Sequence, residues 1–283
     1  MNHTMYPSLW FDGKAKDAAE FYCSIFTNAK ISSSNPIVTM WEINEQKFMC
    51  LNGGPQFKPN PSISFFINCN TNEEVDSYWN KLAIGAKIMM PLNKYDWSEY
   101  YGFLQDKFGF SWQLIKGNFD ESDQKIVPCF LFTDDKFGKA HEAIAFYTNT
   151  FSNSKILSES FYNEQEMPES GIVKHAKFNL DGYEFTAMDG AGNHNFAFNE
   201  ALSFVINCDN QSQIDFYWNA FTSDGGQESM CGWCKDKFGV WWQVVPTNLG
   251  TLMSHPEKGQ QVMQAFLKMK KFDIEALMQV CYP

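Results

Sequence analysis

Two glutamines occupy the same place in a phrase that occurs twice. Asp106-Lys107-Phe108-Gly109 leads to Trp112-Gln113, and Asp236-Lys237-Phe238-Gly239 leads to Trp242-Gln243, an offset of 236 − 106 = 130. An amide buried on an apolar strand needs a hydrogen-bond partner, and a ligand is one group that can supply it. Other side chains able to do chemistry are scattered. His141, beside Glu142, falls on the polar face of a predicted helix, while His194 and His255 fall in loops. His175 alternates with Val173 and Lys177 on a predicted strand, so it is a candidate for a site on one sheet face. Cys231-Gly232-Trp233-Cys234 has the C-x-x-C spacing of a redox or zinc motif, yet the matching stretch Tyr101 to Leu104 has no cysteine. The segment reads as a strand, in which residues three apart point to opposite faces. No Ser-His-Asp or Cys-His arrangement repeats.

The elements that must position these residues come in two copies. Phe21-Tyr22 and Phe26 recur as Phe146-Tyr147 and Phe151, and Ser64-Phe65 with Ile67-Asn68-Cys69 recurs as Ser203-Phe204 with Ile206-Asn207-Cys208. Asp76, Tyr78, Trp79 and Asn80 return as Asp215, Tyr217, Trp218 and Asn219. The copies span 1–117 and 126–246, with a solvated acidic linker at 118–125 (Asp120, Glu121, Asp123) and a helical tail at 247–283 that has Asp273 as an N-cap. Within copy one the patterns predict strands at Tyr6 to Phe11, Lys30 to Ser34, Ile37 to Ile43 and Lys47 to Leu51, with helical spacing over Ala18 to Phe26. A hairpin turn is expected at Asn44-Glu45-Gln46. A second round has strands at Ser62 to Asn68, Lys87 to Met90, Tyr100 to Gln105 and Ser111 to Ile115, and a helix from about Asn72 to Leu82. Each copy is thus β-α-β-β-β twice, an α+β class with four modules in all.

Copy one has nine more residues than copy two between its tryptophan and its glycine, 102 − 79 = 23 against 232 − 218 = 14. The extra loop holds Tyr95, Asp96, Trp97, Glu99 and Tyr100, which suit either a lid or a contact surface for the other copy. A net charge of −11 argues against nucleic acid as a partner. No apolar run is long enough to span a bilayer, and the expectation is a cytoplasmic protein. Eight scattered cysteines suit buried apolar positions better than a disulfide framework, and the 17% aromatic content suits cores and small-molecule cavities.

The phrases Leu9-Trp10-Phe11-Asp12-Gly13, Phe21-Tyr22 with Ile25-Phe26, Leu51-Asn52-Gly53-Gly54-Pro55-Gln56-Phe57, Gly232-Trp233 with Lys235 to Gly239, and Trp242 to Pro246 resemble the PhnB-like group of the vicinal oxygen chelate superfamily. The tail around Phe266 to Ile274 is similar to that group's C-terminal helices. The resemblance implies tandem glyoxalase-like domains. The superfamily also includes glyoxalase I, bleomycin-resistance proteins and extradiol dioxygenases, and the group carries the label 3-demethylubiquinone-9 3-methyltransferase. Its enzymes place His, Glu or Gln ligands for a divalent metal on the first, fourth, fifth and eighth strands of paired modules. Here those strands offer Ser8-Leu9-Trp10 or Cys129-Phe130-Leu131, then Phe48-Met49-Cys50 or Tyr183-Glu184-Phe185, then Ser62-Ile63-Ser64 or Ala201-Leu202-Ser203, then Gln113 or Gln243. Only Glu184 is a carboxylate, so a tight divalent metal site is not expected and no cofactor is implied. Gly53-Gly54 reads as a turn, and no glycine cluster joins a buried strand to a helix as S-adenosylmethionine enzymes commonly require.

What remains is an expected binding cup in each copy, lined by Trp10, Phe65, Trp112 or Gln113 in copy one and by Phe132, Phe204, Trp233 and Gln243 in copy two. Which strand face points inward is open, because a slip of one residue inverts every side chain. Two functions follow: a metal-independent small-molecule-binding protein, or an enzyme of the superfamily, either a lyase or dioxygenase with a degenerate metal site or a methyltransferase. Single-copy members of the group are generally dimers, so the chain resembles such a dimer made covalent, a monomer or a further homodimer.

Overall fold

The computed structural model describes residues 4–120 and 123–282; Glu121 of the expected linker lies outside them. Four β-α-β-β-β modules run in order. The first is β1 (Met5–Phe11), α1 (Ala15–Ile25), β2 (Ala29–Ser34), β3 (Val38–Ile43) and β4 (Gln46–Asn52). The second is β5 (Ile63–Cys69), α2 (Asn72–Leu82), β6 (Lys87–Tyr95), β7 (Ser98–Gln105) and β8 (Ser111–Lys116). The third is β9 (Ile126–Phe132), α3 (Ala140–Thr150), β10 (Lys155–Phe161), β11 (Val173–Leu180) and β12 (Tyr183–Asp189). The fourth is β13 (Leu202–Cys208), α4 (Gln211–Thr222), β14 (Gln227–Glu228), β15 (Trp233–Lys235) and β16 (Trp241–Pro246). The tail adds α5 (Leu249–Met253), α6 (Gly259–Phe266) and α7 (Ile274–Cys281). No helix among the described residues is long and apolar enough to cross a membrane.

The compact units do not follow the repeat. One comprises Ser8–Leu202 and the other Thr4–Pro7 with Ser203–Pro283. The larger unit holds an eight-stranded sheet ordered β10-β11-β12-β9-β5-β8-β7-β6. Its centre is the antiparallel pair β5–β9, where Ser64 faces Cys129 across the seam; β8 and β12 flank that pair in parallel. The second module of copy one and the first module of copy two therefore build one sheet. This corrects the expectation of a cup within each copy: the edge of β5 that its own copy leaves unpaired is satisfied by β9. The same unit contains the strand order β1-β4-β3-β2, and the smaller unit contains β14-β15-β16-β13.

Local chemistry explains the helices. Thr71 Oγ1 accepts from Glu74 N at 3.1 Å while Glu74 Oε2 accepts from Asn70 N at 2.9 Å, a reciprocal cap that starts α2. Asn210 and Gln213 repeat the arrangement at α4, and Asp273 caps α7 by accepting from Ala276 N. The first helices are held from the ends of the fourth strands. Asn52 Oδ1 accepts from Ala15 N, and Asp189 Oδ1 accepts from Gly138 N and Ala140 N. Asn44 and Glu45 both have positive φ, +46° and +67°, and close the two-residue β3–β4 hairpin.

The repeated phrase is an architectural device. Asp106 is buried, and its Oδ1 accepts from Phe108 N and Phe110 N while its Oδ2 accepts from Tyr22 Oη and Trp112 Nε1, the last two at 2.8 Å. Asp236 does the same for Phe238 N, Val240 N and Trp242 Nε1. Each aspartate thus fixes a tight turn and ties the tryptophan of the following strand to it. Around Trp112 the core is aromatic: Phe65 lies 5.1 Å and Tyr22 5.2 Å from it, and Trp41 stacks on Phe48 at 4.2 Å.

Three local expectations change. The extra stretch of copy one is no loop but a lengthened β6–β7 hairpin with Asp96-Trp97 at its tip, where Tyr95 and Trp97 stack at 5.1 Å. Only Trp233–Lys235 of the C-x-x-C segment is strand; Cys231 (φ +59°) and Gly232 (φ +79°) are the central residues of a turn closed by Trp233 N donating to Met230 O. All eight cysteines are free thiols. The end of the linker is engaged rather than merely solvated: the Gln124 amide pairs with both the N–H and the carbonyl of Glu184, and Lys125 forms an ion pair with Glu74.

Candidate functional site

In the eight-stranded sheet α2 and α3 pack against one face. Strand alternation and register put Phe65, Trp112, Phe130 and Phe132 on that helix side, and Ser64, Phe66, Ser111, Gln113, Cys129 and Thr186 on the other. That other side, open only in the sense that neither α2 nor α3 packs on it, since its central residues are buried, is also reached by Tyr101 from β7, by His175 and Lys177 from β11 and by Glu184 from β12.

Hydrogen bonds join the middle of this face. Tyr101 Oη donates to Gln113 Oε1 at 2.5 Å, and Gln113 Nε2 donates to Ser64 Oγ at 2.7 Å. Ser64 sits opposite Cys129, which sits opposite Thr186. Burial pushes the Cys129 thiol up to about 12, against the contrary pull of hydrogen bonds with Thr186, Ser64 and Gln113, so the sulfur stays protonated. To one side Lys177 Nζ and Glu184 Oε1 form an ion pair at 2.9 Å. Burial nevertheless raises the Glu184 carboxyl above its ordinary range, with Lys177 opposing. His175 meets the Phe66 ring edge to face at 6.4 Å, and burial first, then Lys177, holds its imidazole below the usual histidine value.

The structure places the expected cup residues unequally. Gln113 is on the open face, and Glu184 lies two residues along β12 from Thr186. Phe65, Trp112 and Phe132 are wholly buried on the helix side, where their large rings fill the core; the smaller or polar neighbours Ser64, Ser111, Gln113 and Cys129 point to the other side and are buried as well. Trp10 belongs to β1, outside this sheet, where its indole N–H donates to Gly54 O at 2.7 Å. Its ring lies over Gly53, where a Cβ would stand 2.1 Å from it, so the Gly53-Gly54 turn exists to seat that indole. In the smaller unit Phe204 packs on Trp242, which stacks on Phe221 of α4 at 4.7 Å, again on the helix side. Gln243 donates to Ser203 Oγ at 3.0 Å, repeating the Gln113–Ser64 pair, and Trp233 shares its face through the β15–β16 register. His141 is exposed against Glu159, His194 bonds the Ala191 carbonyl, and His255 caps the turn at Glu257 and Lys258.

Phe66, Tyr101 and Thr186 were not singled out from sequence as site residues, and Ser64 and Cys129 were weighed only as metal-ligand positions. One signal was present: serine precedes phenylalanine at both Ser64 and Ser203, matching the two glutamines.

The strands that would carry metal ligands in the superfamily are β9, β12, β5 and β8, and the structure brings them together. Their residues do not fit a divalent ion. The amide oxygen of Gln113 is taken by Tyr101, Cys129 is a neutral thiol, and the one carboxylate is bound to Lys177. No group of three or more His, Cys, Asp or Glu side chains among the described residues could hold a metal.

The sequence model of the family described as 3-demethylubiquinone-9 3-methyltransferase matches residues 3–115 and 124–245, once in each copy. The chain belongs to this family. The similar solved structures include one described as a putative 3-demethylubiquinone-9 3-methyltransferase, PhnB protein, from Bacillus cereus, 35% identical over 40% of this chain and 98% of its own, with a TM-score of 0.38. Glyoxalase I from Zea mays covers 84% of this chain and 89% of its own at 14% identity, with a TM-score of 0.56. With the family model matching once in each copy, that likeness shows the fold, two tandem glyoxalase-like domains, and nothing about activity. No curated protein matches the chain.

Proposed function

We propose that this protein is a metal-independent small-molecule-binding protein of the vicinal oxygen chelate superfamily, with its ligand held against the open face of the eight-stranded sheet. The observation that carries this reading is the Tyr101–Gln113–Ser64 chain beside protonated Cys129, neutral polar groups standing on the strands where the superfamily's enzymes keep metal ligands. Such groups orient a ligand without activating a water. A net charge of −11 supports small molecules rather than nucleic acid as partners and is consistent with a cytoplasmic protein.

A second reading, catalysis at the same face, is favoured by one observation. Glu184 is a part-buried carboxyl with a raised pKa, the property of a general acid or base.

Native mass spectrometry of gently purified protein, with metal analysis of the same sample, separates the two. The expected result is a chain free of stoichiometric divalent metal that carries, or saturably takes up, a small organic molecule. A near-stoichiometric metal lost on Glu184→Gln would overturn the binding reading and direct attention to metal-assisted chemistry.

A further inference from the structure

We propose that the open face selects an uncharged planar aromatic molecule bearing a hydroxyl or carbonyl oxygen, its ring against Phe66 and its oxygen at the Ser64–Gln113–Ser111 end. This rests on the binding reading above and specifies its ligand.

The charge inventory carries the first part. Across β12, β9, β5 and β8 the open face holds one carboxylate, Glu184, and it is paired with Lys177 at 2.9 Å. Farther out, Glu99 is likewise paired, with Lys94 at 2.8 Å. Cys129 is protonated and His175 is disfavoured from charging. At the buried centre of this face a charged ligand would therefore find no unspent counter-charge, since Lys87 of β6 and Lys155 of β10, which register places on the same face, lie exposed on the outermost strands, and a charge withdrawn from water without a partner is costly. A fixed cation such as the sulfonium of S-adenosylmethionine is disfavoured on this ground, which bears on the family's methyltransferase description.

The polar inventory carries the second part. Ser111 follows the same strand parity as Gln113 and is almost wholly buried, yet its hydroxyl has no hydrogen-bond partner. A buried hydroxyl left unpaired is destabilising, and a ligand oxygen would relieve that cost. The Gln113 amide and Ser64 beside it are already mutually satisfied, so they hold a fixed orientation instead of collapsing onto Ser111. Phe66 offers its ring as the wall, and its edge-to-face contact with His175 steadies it.

The test uses three molecules of one shape: 2-naphthol, 2-naphthoate and 2-naphthylmethylammonium, titrated calorimetrically into the full chain at pH 7 and fixed ionic strength. The expected result is saturable binding of 2-naphthol, about tenfold or more tighter than either ion, and about tenfold weaker in Phe66→Ala. Gln113→Glu is expected to move the preference toward the ammonium. Near-UV circular dichroism checks that each variant is folded, and an unchanged preference in folded Gln113→Glu would overturn the placement of the ligand oxygen beside Gln113. Binding of an ion as tightly as the naphthol, lost in Phe66→Ala, would overturn the ligand class while leaving the binding face in place. Absence of binding by all three, or binding indifferent to Phe66→Ala, would overturn the binding face and this inference together.

Discussion

Asp106 shows how one side chain can serve four donors. Its Oδ2 accepts from the Tyr22 hydroxyl and the Trp112 indole, while its Oδ1 takes two backbone amides of the turn. Burial still pushes its carboxyl above the usual aspartate range, so these bonds do not fully repay the desolvated charge. In Asp106→Asn the amide nitrogen would replace Oδ2 and meet the indole N–H donor to donor. Tyr22 can rotate to accept, but Trp112 cannot. The expected loss is about 1–3 kcal/mol in urea-induced unfolding, with a similar loss for Asp236→Asn through Trp242. An unchanged midpoint would show that relief of the buried charge offsets the lost bond. The repeated phrase was the plainest signal in the sequence, yet its purpose was hidden there, because Tyr22 stands 84 residues from Asp106. The Gln113–Ser64 pair was half legible for the same reason: the amide's need was readable, but its partner lies 49 residues away.

At the level of elements, periodicity and capping were sufficient for most of the fold. The Asn72–Leu82 helix, the Asp273 cap and the Asn44-Glu45 turn follow from residue types a few positions apart. Faces were less legible, since a strand such as Ser64-Phe65-Phe66 carries apolar rings on both sides and alternation cannot say which side the helices will cover. Hairpin lengths were also hidden: copy one extends β6–β7, whereas copy two stops at Cys231-Gly232 and its turn amides donate to Met269 O and Lys270 O of the tail, both at 2.7 Å. Gly232 makes that docking possible. A Cβ there would stand 2.5 Å from the Phe272 ring and 2.6 Å from Val244 O, at a φ of +79°. Gly232→Ala is expected to cost roughly 1–3 kcal/mol and to speed amide exchange at Cys231 and at the substituted position, with α4 still protected. Unchanged exchange at Cys231 would mean that the tail is held elsewhere.

At the scale of the chain, the duplication was legible and the way its copies combine was not. Self-similarity reveals four modules but not which of them share a sheet, because strand pairing across the repeat leaves no local mark. The β5–β9 seam yields a direct test. A fragment of residues 1–117 keeps β5 but loses every partner on its seam edge from Ile63 to Ile67, and Gln46 loses Tyr183. Light scattering on the purified fragment should find self-association, with β5 pairing to a second copy or to disordered aggregate; a compact monomer would show that the seam is dispensable. The seam also sets a schedule during synthesis. The edge of β5 is complete at Cys69, and β9 begins only at Ile126, 126 − 69 = 57 residues later. At ribosomal speeds of about 5–20 residues per second, that edge waits roughly 3–11 s for its partner. For those seconds the nascent chain carries an open apolar strand, and a chaperone that shields Ile63 to Ile67 would act in that interval and at no later stage.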